Sequence, residues 1–338
     1  MKRLGSVPAL DGLRGIAILA VIGVHAFGEP LGGFYGVDLF FVLSGFLITT
    51  LLLEEHDRSG RIAMGDFYRR RAYRLLPGLL AVLAVYTALT AASPRALEQV
   101  AAGGLYGANF VLASGSHLLN RTPFVPYWSL AEEEQFYLVW PLLLVLLLQR
   151  RVRESRVAWG LAAILLGLMA YRYGLAAEGA SATRLYYAPD THANGLVLGC
   201  LLALLRRRGL RVPALLGWIG LAGLLVALAF PPFTSGLGFG LDPATIAAAL
   251  LTGAALEQGL LSRCLSFRPL AWIGLISYSL YLWHFLCLEL FDWRAQFALP
   301  VALAVSTLCY YKVERPIRRG FRARVGVGLD VQPVAGQA

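Results

Sequence analysis

Long apolar runs recur along the whole chain, separated by short polar or basic stretches. Each run is close to the roughly 20 residues that a helix needs to cross a bilayer. The pattern therefore predicts an all-α, polytopic membrane protein of about ten transmembrane helices in one bundle. The predicted spans are 7–27, 35–54, 75–92, 128–148, 157–175, 186–205, 212–230, 237–257, 269–290 and 297–313.

Composition supports this class and excludes others. Hydrophobic residues make up 58% of the 338 residues and charged residues 15%, which is more apolar surface than one soluble core can bury. The net charge of +10 could indicate a nucleic-acid partner, but most of the 30 lysines and arginines fall in alternate loops. This bias predicts cytoplasmic N- and C-termini and no nucleic acid. The four cysteines stand singly without metal-ligand spacing, so we predict no metal site.

One membrane domain is expected to contain the function. We place it at residues 1–320 and treat 321–338 as a short C-terminal tail without an assigned fold. Residues 93–127 are too broken by glycine for a confident crossing, and we predict a re-entrant or interfacial segment there. The expected location is the inner (plasma) membrane.

The first apolar run, LRGIAILAVIGVHAF, carries an arginine and a histidine. Arg14 and His25 are eleven residues apart, so on one helix they share a face and lie about 16 Å apart. Polar groups inside a membrane usually face a cavity or a partner. The alternatives are an arginine that snorkels to the inner interface and a histidine that only packs.

Carboxylates are predicted at a similar outer depth. A short turn precedes the second span, which places Asp38 where it can approach His25. A carboxylate that fixes an imidazole tautomer produces a general base able to deprotonate an alcohol. Asp38 could instead be an N-cap or first-turn residue of its helix. The fourth span opens with three consecutive glutamates, and we expect two of the three to serve the helix dipole and solvent.

Hydroxyl and imidazole groups near these positions are candidate contacts for an acceptor. The ninth span, ISYSLYLWHFL, places His284 in its outer half with Tyr281 beside it. The fourth span, PYWSLAEEEQFY, adds Ser129 and Tyr137. An interfacial aromatic belt would explain some of these tyrosines equally well.

A basic block, DFYRRRAYRLLP, precedes the third span on the predicted inner side. Arg71 and Arg74 are three residues apart and so are neighbours on one helix face. Forked guanidinium groups can hold the phosphates of an anionic donor. The alternative is that they only set the topology.

The chain resembles the integral-membrane acyltransferase family 3, which includes O-antigen, exopolysaccharide and macrolide O-acyltransferases. The similarity rests on the Arg14 to His25 pattern and on the blocks GVDLFFVLSGFLIT, FYRRRAYRLLP, WSLAEEEQFY, SYSLYLWH and VERPIRR. These blocks lie between about residues 7 and 319, and the spacing maps the family glutamate onto Glu133. One departure is PDTHANGLVLG, where His192 and Asn194 replace an arginine and an acid.

The resemblance implies O-acyl transfer, often of acetyl, from acetyl-CoA or another acyl-CoA to a hydroxyl at the outer side or within the membrane. Expected partners are acyl-CoA, a carbohydrate or other hydroxyl-bearing acceptor, and membrane lipid. In this scheme His25 is the general base, and Asp38 or Glu133 orients it. Arg71 and Arg74 hold coenzyme A phosphates, and Arg14 lines the path between. An acyl-histidine intermediate is an alternative mechanism, and a transporter or flippase of anionic or lipid-linked glycans is an alternative function.

Overall fold

A computed structural model describes Gly5, residues 7–230 and residues 241–325 of the chain, and every regular element in these ranges is helical. A short 3₁₀ turn, Gly33–Tyr35, precedes α2, and a π-helical segment, Cys309–Glu314, joins α16 to α17. The helices are α1 Pro8–Phe27, α2 Gly36–Ser59, α3 Met64–Leu89, α4 Pro94–Gly104, α5 Ala108–Ala113, α6 Tyr127–Gln149, α7 Glu154–Ala177, α8 Ala182–Tyr187, α9 Pro189–His192, α10 Asn194–Arg207, α11 Ala214–Ala229, α12 Leu241–Ala255, α13 Leu260–Leu265, α14 Arg268–Leu275, α15 Ser277–Leu290, α16 Ala295–Leu308 and α17 Arg315–Val325.

The all-helical class is confirmed within the described residues, whereas the number of spans stays a prediction. Five helical stretches are long and apolar enough to cross a membrane, and six if α14 and α15, which meet at 73°, count as one. The predicted span 186–205 is divided among α8, α9 and α10, and part of 237–257 lies outside the described residues. The cytoplasmic location of the termini is also untested.

Apolar side chains cover much of the outer surface. Val139 on α6, Trp159 on α7 and Leu215 on α11 are 66%, 76% and 70% exposed. Such surfaces are costly in water and are typical of helices that face lipid. Together with the apolar helices, they identify a membrane protein.

Glycines allow α2 and α10 to pack closely. A Cβ atom added to Gly45 would lie 2.0 Å from the carbonyl oxygen of Leu196, and one added to Gly199 would lie 2.2 Å from that of Val42. Each helix therefore approaches the backbone of the other, as small residues permit in membrane bundles. This contact fixes the rotation of α2 about its axis.

A similar close contact joins α1 to α14. A Cβ atom at Gly274 would overlap the carbonyl oxygen of Asp11, and one at Gly15 would lie 2.3 Å from the carbonyl oxygen of Leu270. Because α15 follows α14 after one residue, this contact also places the start of α15 beside α1.

Residues 93–127 form two short helices, α4 and α5, and a series of turns that leads into α6. Leu112, Leu119 and Phe124 pack into one of the apolar clusters of the bundle. The interfacial or re-entrant assignment stays a prediction. At the other end, α17 continues past residue 320 to Val325, and the rest of the predicted tail lies outside the described residues.

Candidate active site

Arg14 and His25 lie on one unbroken helix, as predicted. Pro8 is tolerated in the first turn of α1 because its missing amide hydrogen has no helical partner there. Gly28 ends the helix in the left-handed conformation, with φ of 72°. His25 therefore occupies the last turn, where its imidazole is half-buried.

The partner of His25 is another histidine. Its Nδ1 lies 3.0 Å from Nε2 of His284, and the two rings are nearly parallel, with an interplanar angle of 8°. His284 is completely buried in α15. Phe285 presents an edge to the His25 ring at 5.2 Å between centroids. The two predicted site histidines are therefore brought together.

The hydrogen bonds around His284 determine which nitrogen carries each proton. Its Nδ1 lies 2.8 Å from the carbonyl oxygen of Tyr281, which can only accept, so Nδ1 is the donor. A neutral His284 then has a lone pair on Nε2, and His25 must donate to it from Nδ1. The Nε2 atom of His25 keeps its lone pair and has no hydrogen bond within the described residues.

Ser129 and Tyr281 hold α6 against α15. Their hydroxyl oxygens are 2.7 Å apart, and the Tyr281 hydroxyl donates to the carbonyl oxygen of Pro126 at 2.6 Å. Both side chains are buried. Their hydroxyl groups are thus engaged with the protein itself, and the backbone of Tyr281 is fixed where it holds His284.

The predicted contact between Asp38 and His25 is wrong. The buried Asp38 carboxylate lies 3.3 Å from Nε2 of His192 and accepts a hydrogen bond of 3.0 Å from the hydroxyl of Thr245. Asp38 and Gly45 are seven residues apart and share a face of α2. Because Gly45 packs on α10, Asp38 also points toward that side of the bundle.

Glu133 is also placed elsewhere, in a cluster around Arg71. Its Oε1 accepts from the hydroxyl of Ser44 at 2.7 Å and lies 3.6 Å from the Arg71 guanidinium. Arg71 makes a forked interaction with Glu134, in which Nε donates to Oε2 at 2.8 Å. The ring of Tyr137 lies 3.2 Å from the guanidinium carbon. Arg71, Glu133 and Tyr137, predicted for three separate roles, therefore form one cluster in which the arginine is paired with acids.

Arg14 and Arg74 differ from Arg71 because neither has a carboxylate partner within the described residues. Nε of Arg14 donates to the hydroxyl of Ser277, the first residue of α15, at 3.3 Å. Arg74 is exposed and makes neither a hydrogen bond nor an ion pair in the described ranges. Both groups are therefore able to receive an anion.

Arginines near a predicted inner loop show the opposite situation. Arg206 lies 2.5 Å from Glu257, and Arg211 lies 3.4 Å from the same carboxylate. Burial alone would raise the pKa of Glu257, but these two arginines outweigh it and hold that pKa below its usual range. Both arginines therefore already have a carboxylate partner within the protein.

Sequence reasoning missed a second buried polar cluster. His192 donates from Nδ1 to the carbonyl oxygen of Tyr186 at 2.6 Å and faces Asp38 with Nε2. Glu132, assigned from sequence to the helix dipole and solvent, is 1% exposed, and neither of its oxygens has a hydrogen-bond partner within the described residues. Asn194 donates to Asp242 at 2.8 Å. Three consecutive glutamates span about 200° of a helix, so at least one had to face inward.

The chain matches the acyltransferase domain of acyltransferase family 3 over residues 7–310, which is most of its length. It therefore belongs to this family, and the resemblance inferred from the sequence blocks is confirmed. No solved structure matches the chain.

Three curated relatives of the chain are bacterial proteins. The chain is 31% identical to the putative peptidoglycan O-acetyltransferase YrhL of Bacillus subtilis, over 94% of the chain and 56% of the relative. It is 32% identical to the peptidoglycan O-acetyltransferase OatA of Listeria monocytogenes, over 93% and 56%. A putative O-acetyltransferase of Staphylococcus aureus is 34% identical over 84% and 51%. The chain thus spans about half the length of these relatives.

Proposed function

We propose that the chain is a membrane-embedded O-acetyltransferase that moves an acetyl group from acetyl-CoA to a hydroxyl of a glycan. The observation that carries the proposal is the unoccupied lone pair on Nε2 of His25, which a chain of two hydrogen bonds from the Tyr281 carbonyl oxygen produces. A general base needs a lone pair of this kind within reach of the proton that it removes.

In the proposed reaction, Nε2 of His25 accepts the proton of the acceptor hydroxyl. The acceptor oxygen then attacks the thioester carbonyl carbon, a C–O bond forms and the C–S bond breaks. His25 returns the proton to the leaving thiolate. His284 accepts from Nδ1 of His25 throughout, so it stabilises the transient imidazolium and keeps Nε2 aimed at the acceptor. This makes His284 a positioning residue instead of the substrate contact predicted from sequence.

The same lone pair also serves the alternative mechanism. An attack by Nε2 of His25 on the thioester would give an acetyl-histidine and free thiol, and the acceptor hydroxyl would then take the acetyl group in a second step. Rapid mixing of the chain with labelled acetyl-CoA but no acceptor separates the two mechanisms. A stoichiometric burst of thiol with label on His25 supports the acyl-enzyme, and no burst supports direct transfer.

The proposed donor site uses the arginines that lack acid partners. Arg74 and Arg14 can pair with phosphate groups, whereas Arg71 is engaged by Glu134 and supports the neighbouring helices. Because α1 is continuous, the path along it from Arg14 to His25 is about 16 Å. We infer that the pantetheine arm extends along this path and that the donor enters from the cytoplasm of the inner (plasma) membrane.

The proposed acceptor is a peptidoglycan-type glycan, because two of the relatives carry the name peptidoglycan O-acetyltransferase. The test is incubation of the purified chain with labelled acetyl-CoA and peptidoglycan fragments. We expect thiol release that matches the label found on glycan hydroxyls. Hydrolysis of acetyl-CoA without label on the glycan would mean that peptidoglycan is not the acceptor. Movement of glycan across the membrane of vesicles without acetylation would support a transporter instead. No described contact favours that alternative.

A further inference from the structure

The segment after α16 carries a further arginine, Arg318, toward Arg14 and Arg74, the two arginines described above without a carboxylate partner among the described residues. Glu314 and Arg318 are four residues apart and therefore neighbours on one helix face. The ring of Phe321 stacks on that of Tyr73 at 4.4 Å between centroids, which holds α17 along α3. Since Arg74 is one residue after Tyr73, this contact places α17 beside the predicted donor site.

Arg318 has no carboxylate within ion-pair distance among the described residues. One of its terminal nitrogens donates to the hydroxyl of Tyr310 at 3.3 Å, and the guanidinium lies 5.8 Å from the centre of that ring. Glu314, one turn earlier, is engaged by the hydroxyl of Ser279 and lies near the thiol of Cys309. The guanidinium of Arg318 is half-buried, so water only partly screens its charge.

Three cations from three helices therefore surround one region. Ser277, which accepts from Arg14, is followed by Tyr278, whose hydroxyl donates at 2.8 Å to the carbonyl oxygen of Leu75, the residue after Arg74. Arg74 is accordingly within electrostatic range of Arg14 of α1, and also of Arg318 of α17, which the Tyr73–Phe321 contact holds along α3.

Asp11 and Glu314 lie within electrostatic range of the same arginines and offset part of their charge, but neither forms an ion pair with them among the described residues. The remaining positive charges repel one another in a partly buried place, and an anion that bridges them relieves this repulsion. The ligand that fits is one with several phosphate groups.

We propose that Arg318 is a third binding residue for the phosphate groups of the acyl-CoA donor. The inference rests on the proposed function, because it assigns a further residue to the same donor site. A phosphate ligand could also be the headgroup of an anionic lipid. The donor is favoured because Arg14, a member of the group, lies on the same helix as His25.

Binding of coenzyme A to the purified chain tests this without requiring acetyl transfer. In neutral detergent, a ligand that binds the folded state raises the midpoint of thermal unfolding, and the rise grows with the logarithm of the ratio of ligand concentration to dissociation constant. Pantetheine, which has no phosphate, is the matched ligand. Arg319→Gln is the matched variant, because it removes the same charge from the exposed neighbouring residue.

We expect Arg318→Gln to weaken coenzyme A binding about tenfold, since one charge-assisted hydrogen-bonding group is lost. Arg318→Lys should give a smaller loss, because it keeps the charge but not the fork. Pantetheine affinity should be the same in every variant, and Arg319→Gln should bind coenzyme A like the wild type. If Arg318→Gln fails to fold, Arg318→Lys alone decides the result.

Several results would overturn the inference. They are equal coenzyme A binding by Arg318→Gln and wild type, an equal loss in Arg319→Gln, or a loss that extends to pantetheine. In nanodiscs, an Arg318-dependent stabilisation by phosphatidylglycerol but not by coenzyme A would assign the residue to lipid headgroups. Arg318-dependent coenzyme A binding without acetyl transfer would leave the donor site intact and remove the proposed function. Acetyl transfer with an unchanged donor affinity in Arg318→Gln would support the proposed function and remove Arg318 from the donor site.

Discussion

Two histidine sites in the bundle are built alike and differ in one respect. In both, a backbone carbonyl oxygen accepts from Nδ1, that of Tyr281 for His284 and that of Tyr186 for His192. The Nε2 atom of His192 then faces the carboxylate of Asp38, and the ring is enclosed by Trp128, whose centroid is 5.1 Å away. The Nε2 atom of His284 faces a second imidazole instead.

That second imidazole changes what the site can do. His25 receives its orientation from His284 and keeps one nitrogen without a partner in the described residues, at a half-buried position. His192 is fully buried, and both of its nitrogens are occupied. A histidine beside a carboxylate has the composition of a catalytic pair. The comparison indicates that access to a lone pair, more than the identity of the partner, distinguishes the reactive site.

The largest effect on transfer is expected from the loss of His25, the histidine with a free lone pair. His25→Ala should lower the turnover number for acetyl transfer by about a thousandfold, because it removes the general base. The midpoint of thermal unfolding should fall only slightly, because the half-buried side chain packs little and the main loss is its hydrogen bond to the buried Nε2 of His284. Turnover within a few fold of wild type would remove His25 from either mechanism.

The second effect tests whether His284 positions His25 or contacts the acceptor. His284→Ala should lower the turnover number by about a hundredfold with little change in the Michaelis constant for the acceptor. His284→Gln should recover part of the activity, because an amide oxygen can still accept from Nδ1 of His25. If His284→Ala instead raises the Michaelis constant for the acceptor and leaves the turnover number unchanged, His284 contacts the acceptor, as predicted from sequence.

The contrast between occupied and open groups recurs among the arginines and gives the third prediction. Arg74→Gln should raise the Michaelis constant for acetyl-CoA about tenfold. Arg71→Gln should instead lower the free energy of unfolding by about 3 kcal/mol, because Glu134 would lose its partner. Donor titration and thermal unfolding of both variants check this. A donor constant that responds to Arg71 alone would assign the phosphates to the paired arginine.

Helix positions were largely predictable from the sequence, because apolar runs of spanning length leave few alternatives. The first span was predicted as 7–27 and is observed as Pro8–Phe27. The bend between α14 and α15 was not predicted within 269–290, because it follows from the close contact of Gly274 with Asp11. Contacts of that kind depend on a distant segment of chain and leave no local pattern.

The candidate site was predictable by residue type but not by pairing. His25 was predicted beside Asp38 but lies beside His284, and Glu133 was predicted beside His25 but lies beside Arg71. Periodicity indicates which residues share a face of one helix, but it does not give the rotation of that helix in the bundle. The rotation of α2, fixed by its packing on α10, directed Asp38 to His192.

The smallest effect on transfer is expected at the enclosed site. Asp38→Asn should keep a turnover number close to that of the wild type, because Asp38 makes no hydrogen bond to His25 within the described residues. The amide oxygen can still accept from Thr245, but the interaction with His192 changes. We therefore expect the free energy of unfolding to fall by about 1–3 kcal/mol.

Transfer kinetics and thermal unfolding of Asp38→Asn, measured beside His192→Gln, separate the two kinds of site. If both variants lose stability together while their turnover is kept, the pair is a structural link between α2 and α9. A large loss of turnover with intact stability would mean that the buried carboxylate influences the reaction. In that case enclosure would not distinguish the two histidine sites, and the role predicted for Asp38 from sequence would be restored.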